Sequence, residues 1–192
     1  VNGALLSMIG NNLLQQQVHE RNLTDPGEIL TGVNKGMQHL LRQSHSEVLP
    51  GTVEISDGMD IALWVIHKEK KQLLYAGANR PLLLIRNGQI QELQPNRTAI
   101  GSTTEENFRF NTQTVNLNHD DLLIAFSDGY ADQFGGGKGK KMMMRNLKEQ
   151  LLLLEKEPCN KHKQILTNYF HAWKGELEQI DDVLLAGIRV NW

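Results

Sequence analysis

The segment Asp121-Leu122-Leu123-Ile124-Ala125-Phe126-Ser127-Asp128-Gly129 joins an apolar run to a polar, turn-forming exit. Leu122 to Phe126 predicts a buried strand, and Asp128 stands just beyond its end. A second strand, Val183 to Val190, closes the chain, with Asp181 and Asp182 at its start. If the two strands are antiparallel neighbours, the end of one meets the start of the other at a single sheet edge. The carboxylates of Asp128 and Asp181 then converge, which is costly unless a cation neutralises them. Hard divalent ions such as Mg²⁺ or Mn²⁺ take oxygen ligands of this kind. A simple turn at Asp128-Gly129 and a strand-start residue at Asp181 account for the same spacing without a cation.

Upstream of this segment the hydrophobic period changes once. From Ala4 to about Glu20, Leu5, Met8, Ile9 and Leu13 recur at helical spacing. Thr24-Asp25-Pro26-Gly27-Glu28 then supplies a cap at Asp25, a proline suited to the first helical position and a capping-box glutamate. Ile29, Val33, Met37, Leu40 and Leu41 mark the buried face of a second helix. From Met59 the period becomes two: Met59, Ile61, Leu63 and Val65 share one face, which is expected to be buried. Trp64 and Ile66 are expected to be covered if helices pack on the other face. His67 to Gln72 reads as a turn into Leu73-Leu74-Tyr75-Ala76. Leu82 to Arg86, Asn87-Gly88 and Gln89 to Leu93 read as a hairpin, since Asn-Gly suits a type I′ turn. Phe108 and Phe110 alternate on one parity and Val115 and Leu117 on the other, which predicts a bulge or bend between them.

Downstream, helices are expected over about Met142 to Leu154 and about Lys161 to Trp173. Two helices, several antiparallel-type strands, two helices and a last strand make an α+β pattern, not a strict βαβ alternation.

The chain has 192 residues, enough for one domain, with 40% hydrophobic and 22% charged residues. A formal net charge of −2 gives no bulk electrostatic case for nucleic acid or an anionic membrane. No apolar run approaches the roughly 18 residues of a membrane span, so no membrane contact is expected of this domain. The single cysteine, Cys159, leaves no internal disulfide and no cysteine-rich zinc site, and fits a reducing compartment.

Other candidates carry less chemistry. Gly135-Gly136-Gly137-Lys138-Gly139-Lys140-Lys141 lacks the G-x-x-x-x-G-K-[ST] spacing and reads as a solvated loop, whose lysines, with Arg145, suit an acidic phosphoprotein. Asn79-Arg80 reads as a turn, with Arg80 able to reach a phosphate if its loop borders the site. Met142-Met143-Met144 is read as packing. The seven histidines show no H-E-x-x-H or other ligand spacing.

Gly3-Ala4-Leu5-Leu6-Ser7-Met8-Ile9-Gly10-Asn11-Asn12, Asp57-Gly58-Met59-Asp60-Ile61-Ala62-Leu63 and Tyr75-Ala76-Gly77-Ala78-Asn79-Arg80-Pro81-Leu82 follow one another in order. They are succeeded by Ala99-Ile100-Gly101, by Asp121 through Asp132, and by Asp181-Asp182-Val183-Leu184-Leu185. This series resembles the SpoIIE-type branch of the PPM (PP2C-like) serine/threonine phosphatases, through essentially all of residues 1–192. The resemblance implies a PP2C-like layered sandwich of antiparallel sheets flanked by helices. It implies hydrolysis of phosphoserine or phosphothreonine on a bacterial regulatory protein by a metal-activated water at two divalent cations, Mn²⁺ or Mg²⁺. Asp128 and Asp181 match the family's metal-binding aspartates. Asp182 matches a supporting or capping neighbour, and Asp57-Gly58 a structural turn.

The family's first ligand lies in a D-x-[ST]-G-H-G motif followed by Val-Pro-Gly-Ala. Here Val1-Asn2-Gly3-Ala4 matches the following stretch, with Asn2 in the proline place. The expectation is therefore a domain that lacks its first strands and the metal-bridging aspartate, and a fragment of low activity. The parent protein is expected to be cytoplasmic, with an upstream sensor or signalling region, any membrane anchor in upstream segments, and a homodimer among its assemblies. A non-catalytic PPM-fold module for binding or dimerisation stands as the alternative, and an unrelated α+β ligand-binding domain as a further one.

Overall fold

The computed structural model describes residues 3–45, 58–102 and 107–192. In chain order these form helix α1 (Gly3–Gln15), a π-helical turn (Gln16–Glu20), helix α2 (Pro26–His45), and strands β1 (Ile61–His67) and β2 (Gln72–Ala78). Next come β3 (Leu82–Arg86), β4 (Gln89–Leu93), β5 (Gln113–Asn116), β6 (Leu122–Phe126) and the short helix α3 (Gly129–Asp132). The chain finishes with β7 (Phe134–Gly135), β8 (Lys140–Lys141), α4 (Met143–Leu154), α5 (Cys159–Lys174) and β9 (Leu185–Arg189). They fall into two units, one drawn from Val1–Pro81 and Leu93–Leu117, the other from Leu82–Glu92 and Asn118–Trp192. Among the described residues no helix is long and apolar enough to cross a membrane.

In the first unit, α1 and α2 lie on an antiparallel sheet of order β1-β2-β5. The second helix starts where its capping residues place it: Asp25 Oδ1 accepts the Glu28 N–H at 2.9 Å. Thr112 Oγ1 donates to the same oxygen at 2.6 Å and accepts the Gly27 N–H at 2.9 Å, so one hydroxyl ties the segment before β5 to the helix start. Ile29, Leu30, Val33, Met37 and Leu41 are buried. Leu40, expected with them, is exposed instead, because it lies about 100° around the helix from Leu41, off the stripe. The first helix likewise turns Leu6 and Gly10 inward, with Ile9 and Leu13 packed alongside, and leaves Leu5 and Met8 outside.

The period-two reading of β1 holds for its register but not for its depth. Its seven residues are all half-buried. Met59, Ile61 and Leu63 do face the helices, but among the described residues β1 is an edge strand paired only to β2, from Ile61 opposite Ala78 to His67 opposite Gln72. An edge strand has no neighbour to cover one flank, so Val65, Trp64 and Ile66 stay partly accessible. The expected strand at Phe108 and Phe110 is absent as well. Residues 108–112 are irregular, with Phe110 buried edge-on to Phe108 and its N–H donated to Thr31 Oγ1 at 3.0 Å. The change of parity marks the end of a loop and the start of β5, not a bulge.

In the second unit the sheet order is β4-β3-β6-β9, with antiparallel neighbours. The Asn87-Gly88 hairpin is present, with φ of 52° and 73°, the positive pair a type I′ turn requires. Leu83, Ile85, Leu122, Ile124 and Phe126 form a core with Leu147, Leu151 and Leu154 of α4 and Leu166 and Phe170 of α5. At the far end of β6, Arg86 donates to both oxygens of the buried Asp121, at 2.7 and 2.6 Å, and the Asn118 N–H reaches Asp121 Oδ2 at 2.7 Å. The hydrogen bond to Asp121 holds the Arg86 guanidinium above its ordinary range, against the opposing pull of burial. The glycine-lysine loop is exposed from Gly136 to Lys141, as a solvated loop should be, and its ends pair as a short ribbon, β7 with β8.

Two substitutions test these anchors by denaturant unfolding. Thr112→Val should cost about 1–3 kcal/mol by orphaning the Gly27 N–H and removing the hydroxyl bond to Asp25 Oδ1, while Thr112→Ser should recover most of it. Asp121→Ala should cost about 3 kcal/mol, since it removes the buried carboxylate paired with Arg86 together with the Asn118 turn bond.

Candidate active site

The antiparallel neighbourhood of the two chemistry-bearing strands is present: β6 pairs with β9 from Leu122 opposite Arg189 to Phe126 opposite Leu185. The pairing places residue 128 and residues 181–182 at one edge of the sheet. Beyond the last pair, Ser127 continues the contact. Its N–H donates to the Leu184 carbonyl at 2.9 Å. Its hydroxyl donates to the Asp182 carbonyl at 2.9 Å and accepts the Leu184 N–H at 2.9 Å. Sequence reasoning passed over Ser127; its place between a buried strand and an acidic turn is the signal that marks it.

Gly129 brings the backbones closer still. A Cβ there would fall inside contact distance of the Asp182 carbonyl and lie 3.3 Å from the Asp181 carbonyl carbon, so only glycine fits. Behind it, α3 is pinned by Tyr130, whose hydroxyl donates to the Leu166 carbonyl at 2.8 Å and whose ring stands 5.2 Å from that of Phe170. Burial, and then the proximity of Tyr169, push the Tyr130 phenol above its ordinary range, so it remains a neutral donor. Rigid parts thus hold Asp128, half-buried at the helix start, beside the exposed Asp181 and Asp182.

The three aspartates are not equivalent. Asp181 Oδ1 accepts the Asp182 N–H at 2.7 Å, which orients the Asp181 carboxylate. Asp182 contributes its backbone, one carbonyl and one N–H. Among the described residues no three His, Cys, Asp or Glu side chains gather as a cation site. Two carboxylates at a solvent-facing edge still fit a hard divalent ion, since Mg²⁺ is commonly held by one or two carboxylates and keeps several waters.

The other candidates have contacts of their own. Arg80 pairs with Asp60 at 3.2 Å, and Asn79 Nδ2 donates to the same carboxylate at 2.9 Å, with Asn79 at a φ of 55° as the turn reading requires. Asp57 lies outside the described residues, and with it the expected turn, while Gly58 sits close against Ala99 and Ile100. Met142 is buried and Met143 exposed, so the methionine run is packing only in part.

The stage II sporulation protein E (SpoIIE) family model matches residues 1–191. The SiaA-PP2C domain of Pseudomonas aeruginosa is similar in structure, with a TM-score of 0.84 and 24% identity, over 98% of this chain and 70% of that one. The PP2C phosphatase domain of the cell fate determinant SpoIIE from Bacillus subtilis, solved with a fragment of its regulatory domain, has a TM-score of 0.68 at 18% identity. That match covers 98% of this chain and 51% of the other, so this chain spans about half its length. RsbX, solved in complex with magnesium, matches at a TM-score of 0.62 and 13% identity, over 100% of this chain and 77% of that one. No curated protein sequence is significantly similar. An unrelated α+β domain with chance motifs is thereby excluded: the chain belongs to the stage II sporulation protein E (SpoIIE) family and has its PP2C-like phosphatase fold.

Proposed function

We propose that this chain carries the site of a metal-dependent protein phosphatase acting on phosphoserine or phosphothreonine of a regulatory protein. The observation that supports it most is the stitching of β6 to β9 by Ser127, which fixes Asp128 and Asp181 at one sheet edge. In this reading Asp128 and Asp181 are ligands for Mn²⁺ or Mg²⁺, and magnesium in the RsbX structure supports the choice of a hard divalent ion. Bound there, the cation acidifies water and neutralises phosphate charge. Asp182 holds the Asp181 carboxylate in orientation through its N–H. Ser127 and Gly129 fix the separation of the two backbones, so the carboxylates do not have to be drawn together when the phosphate enters.

A pair of cations needs a carboxylate shared between them, and residues 1–192 contain no D-x-[ST]-G-H-G motif to carry it. Turnover is therefore expected chiefly from a chain with D-x-[ST]-G-H-G joined before Val1, read as metal-dependent phosphate release from a phosphoserine peptide. Equal, robust turnover with and without that motif would remove the case for a bridging ligand.

Calorimetric titration with Mn²⁺ tests the ligands themselves. Asp128→Asn and Asp181→Asn should each weaken binding more than about tenfold, and in the motif-bearing chain each should lower kcat by at least about a hundredfold. Unchanged Mn²⁺ affinity and activity in Asp128→Asn would overturn the assignment. Gly129→Ala should weaken Mn²⁺ binding without touching a carboxylate, because its methyl group must push the 181–182 backbone aside; an unaltered affinity there would mean the close approach is irrelevant to the site.

A further inference from the structure

The β7–β8 ribbon concentrates positive charge beside the candidate site. Between Gln133 and Lys148 the sequence holds Lys138, Lys140, Lys141, Arg145 and Lys148 and no Asp or Glu, in a chain whose net charge is −2. Three of these cations are engaged: Lys141 with Asp132 at 3.1 Å, Arg145 with Glu149 at 3.1 Å, and Lys148 with Glu92. Lys138 and Lys140 are exposed and make no ion pair among the described residues.

The ribbon is firm at its base and open at its tip. The Gly136 N–H donates to the Trp173 carbonyl at 2.8 Å, the Trp173 indole N–H to the Gln133 carbonyl at 3.1 Å, and the Met142 N–H to the same Gln133 carbonyl at 3.0 Å. At the tip, nothing lies within 4 Å of where a Cβ would stand on Gly137 or Gly139. Lys141 also sits 5.9 Å above the Phe134 ring, which leaves an exposed aromatic face between the two short strands.

Its position relative to Asp128 follows from α3. The Asp132 N–H donates to the Asp128 carbonyl at 2.9 Å, so the two aspartates are four residues apart on one helical turn and share a face. Lys141, at the end of β8, is bound to Asp132, which lies one helical turn, roughly 6 Å along the axis, from Asp128. The cationic ribbon is therefore tied to the short helix that starts at the candidate metal ligand.

We propose that this ribbon is a docking surface for an acidic stretch of the phosphoprotein substrate, with Lys138 and Lys140 as its recognition charges. The proposal rests on the phosphatase reading for the position of the phosphoserine, and deepens it by naming the substrate class. An extended peptide advances about 3.4 Å per residue, and the test peptides carry their acidic residues about three to six positions from the phosphoserine. Exposed charges of this kind contribute through steering and modest Coulomb attraction, and the preference fades as salt shortens the Debye length.

The test uses two labelled phosphoserine peptides, one with four aspartates at those positions and one with four asparagines. Binding is read by fluorescence anisotropy in about 50 mM salt. The chain should bind the acidic peptide about tenfold more tightly than the neutral one, and about 300 mM salt should erase most of the difference. Lys138→Glu/Lys140→Glu should abolish the preference, and Lys138→Ala/Lys140→Ala should reduce it. Lys68→Glu/Lys70→Glu, the same charge change at the exposed β1–β2 turn, should leave it intact. No preference in the unaltered chain, a preference that survives the ribbon reversal, or equal loss in the turn control would each overturn the proposal. Because anisotropy reads binding and not turnover, the ribbon is judged even if the chain proves to hydrolyse nothing.

Discussion

One hydroxyl group, that of Ser127, sets the geometry on which the candidate site depends. The β6–β9 ladder ends at Phe126 and Leu185, and beyond that pair the two chains would be free to splay. Ser127 prevents it by accepting the Leu184 N–H and donating to the Asp182 carbonyl, while its own N–H takes the Leu184 carbonyl. A side chain thus extends the ladder past the last strand pair, as hydroxyls do when they compete for backbone groups near turns. Gly129, with no Cβ, lets the next residue follow the same close approach. The carboxylates on either side inherit their separation from backbone bonds and not from their own mutual repulsion.

The rest of the second unit keeps that corner still. The core of β3 and β6 against α4 and α5 holds β6 in place, and Tyr130 carries the same rigidity into α3 through Leu166. The first unit shows the parallel case without chemistry. Thr112 and Thr31, on two different elements, satisfy backbone N–H groups of Gly27 and Phe110, and so hold an irregular segment against a helix start. An irregular segment this close to the core needs such partners, since an unmade backbone bond there costs more than a made one contributes.

What was legible in the sequence was whatever depends on local periodicity or local turn chemistry. Asp25-Pro26 announced a helix start, Asn87-Gly88 a hairpin, and the run from Leu122 to Phe126 a buried strand, and each is written in neighbouring residues. The errors share a different origin. The depth of β1 depends on which strands flank it, Leu40 on a rotation of about 100° that a list of apolar positions does not resolve, and the coil at Phe108 to Thr112 on a threonine far away in sequence. The glycine-lysine segment hid its order for the same reason: Trp173, at the end of α5, fixes its base. At the site, the convergence of residues 128 and 181 was readable as soon as two strands were taken as neighbours. Ser127 was not, because a serine after a strand is ordinary until its partner is known.

The contrast between Asp121 and Asp128 shows how one short strand can carry two opposite uses of the same side chain. Asp121, at the start of β6, is buried and surrounded by donors: two from Arg86 and one from the Asn118 backbone. Its oxygens are committed within the fold, and a cation there would have to displace an arginine. At the opposite end of the strand the partners are backbone groups that bind one another through Ser127, and the neighbouring Asp181 is exposed with a single N–H at Oδ1. Buried carboxylates without a counter-charge are costly, so a fold places them either against an arginine or at an edge where solvent and ions reach. β6 carries both cases, seven residues apart, with Asp121 against Arg86 and Asp128 at the edge proposed as the cation site.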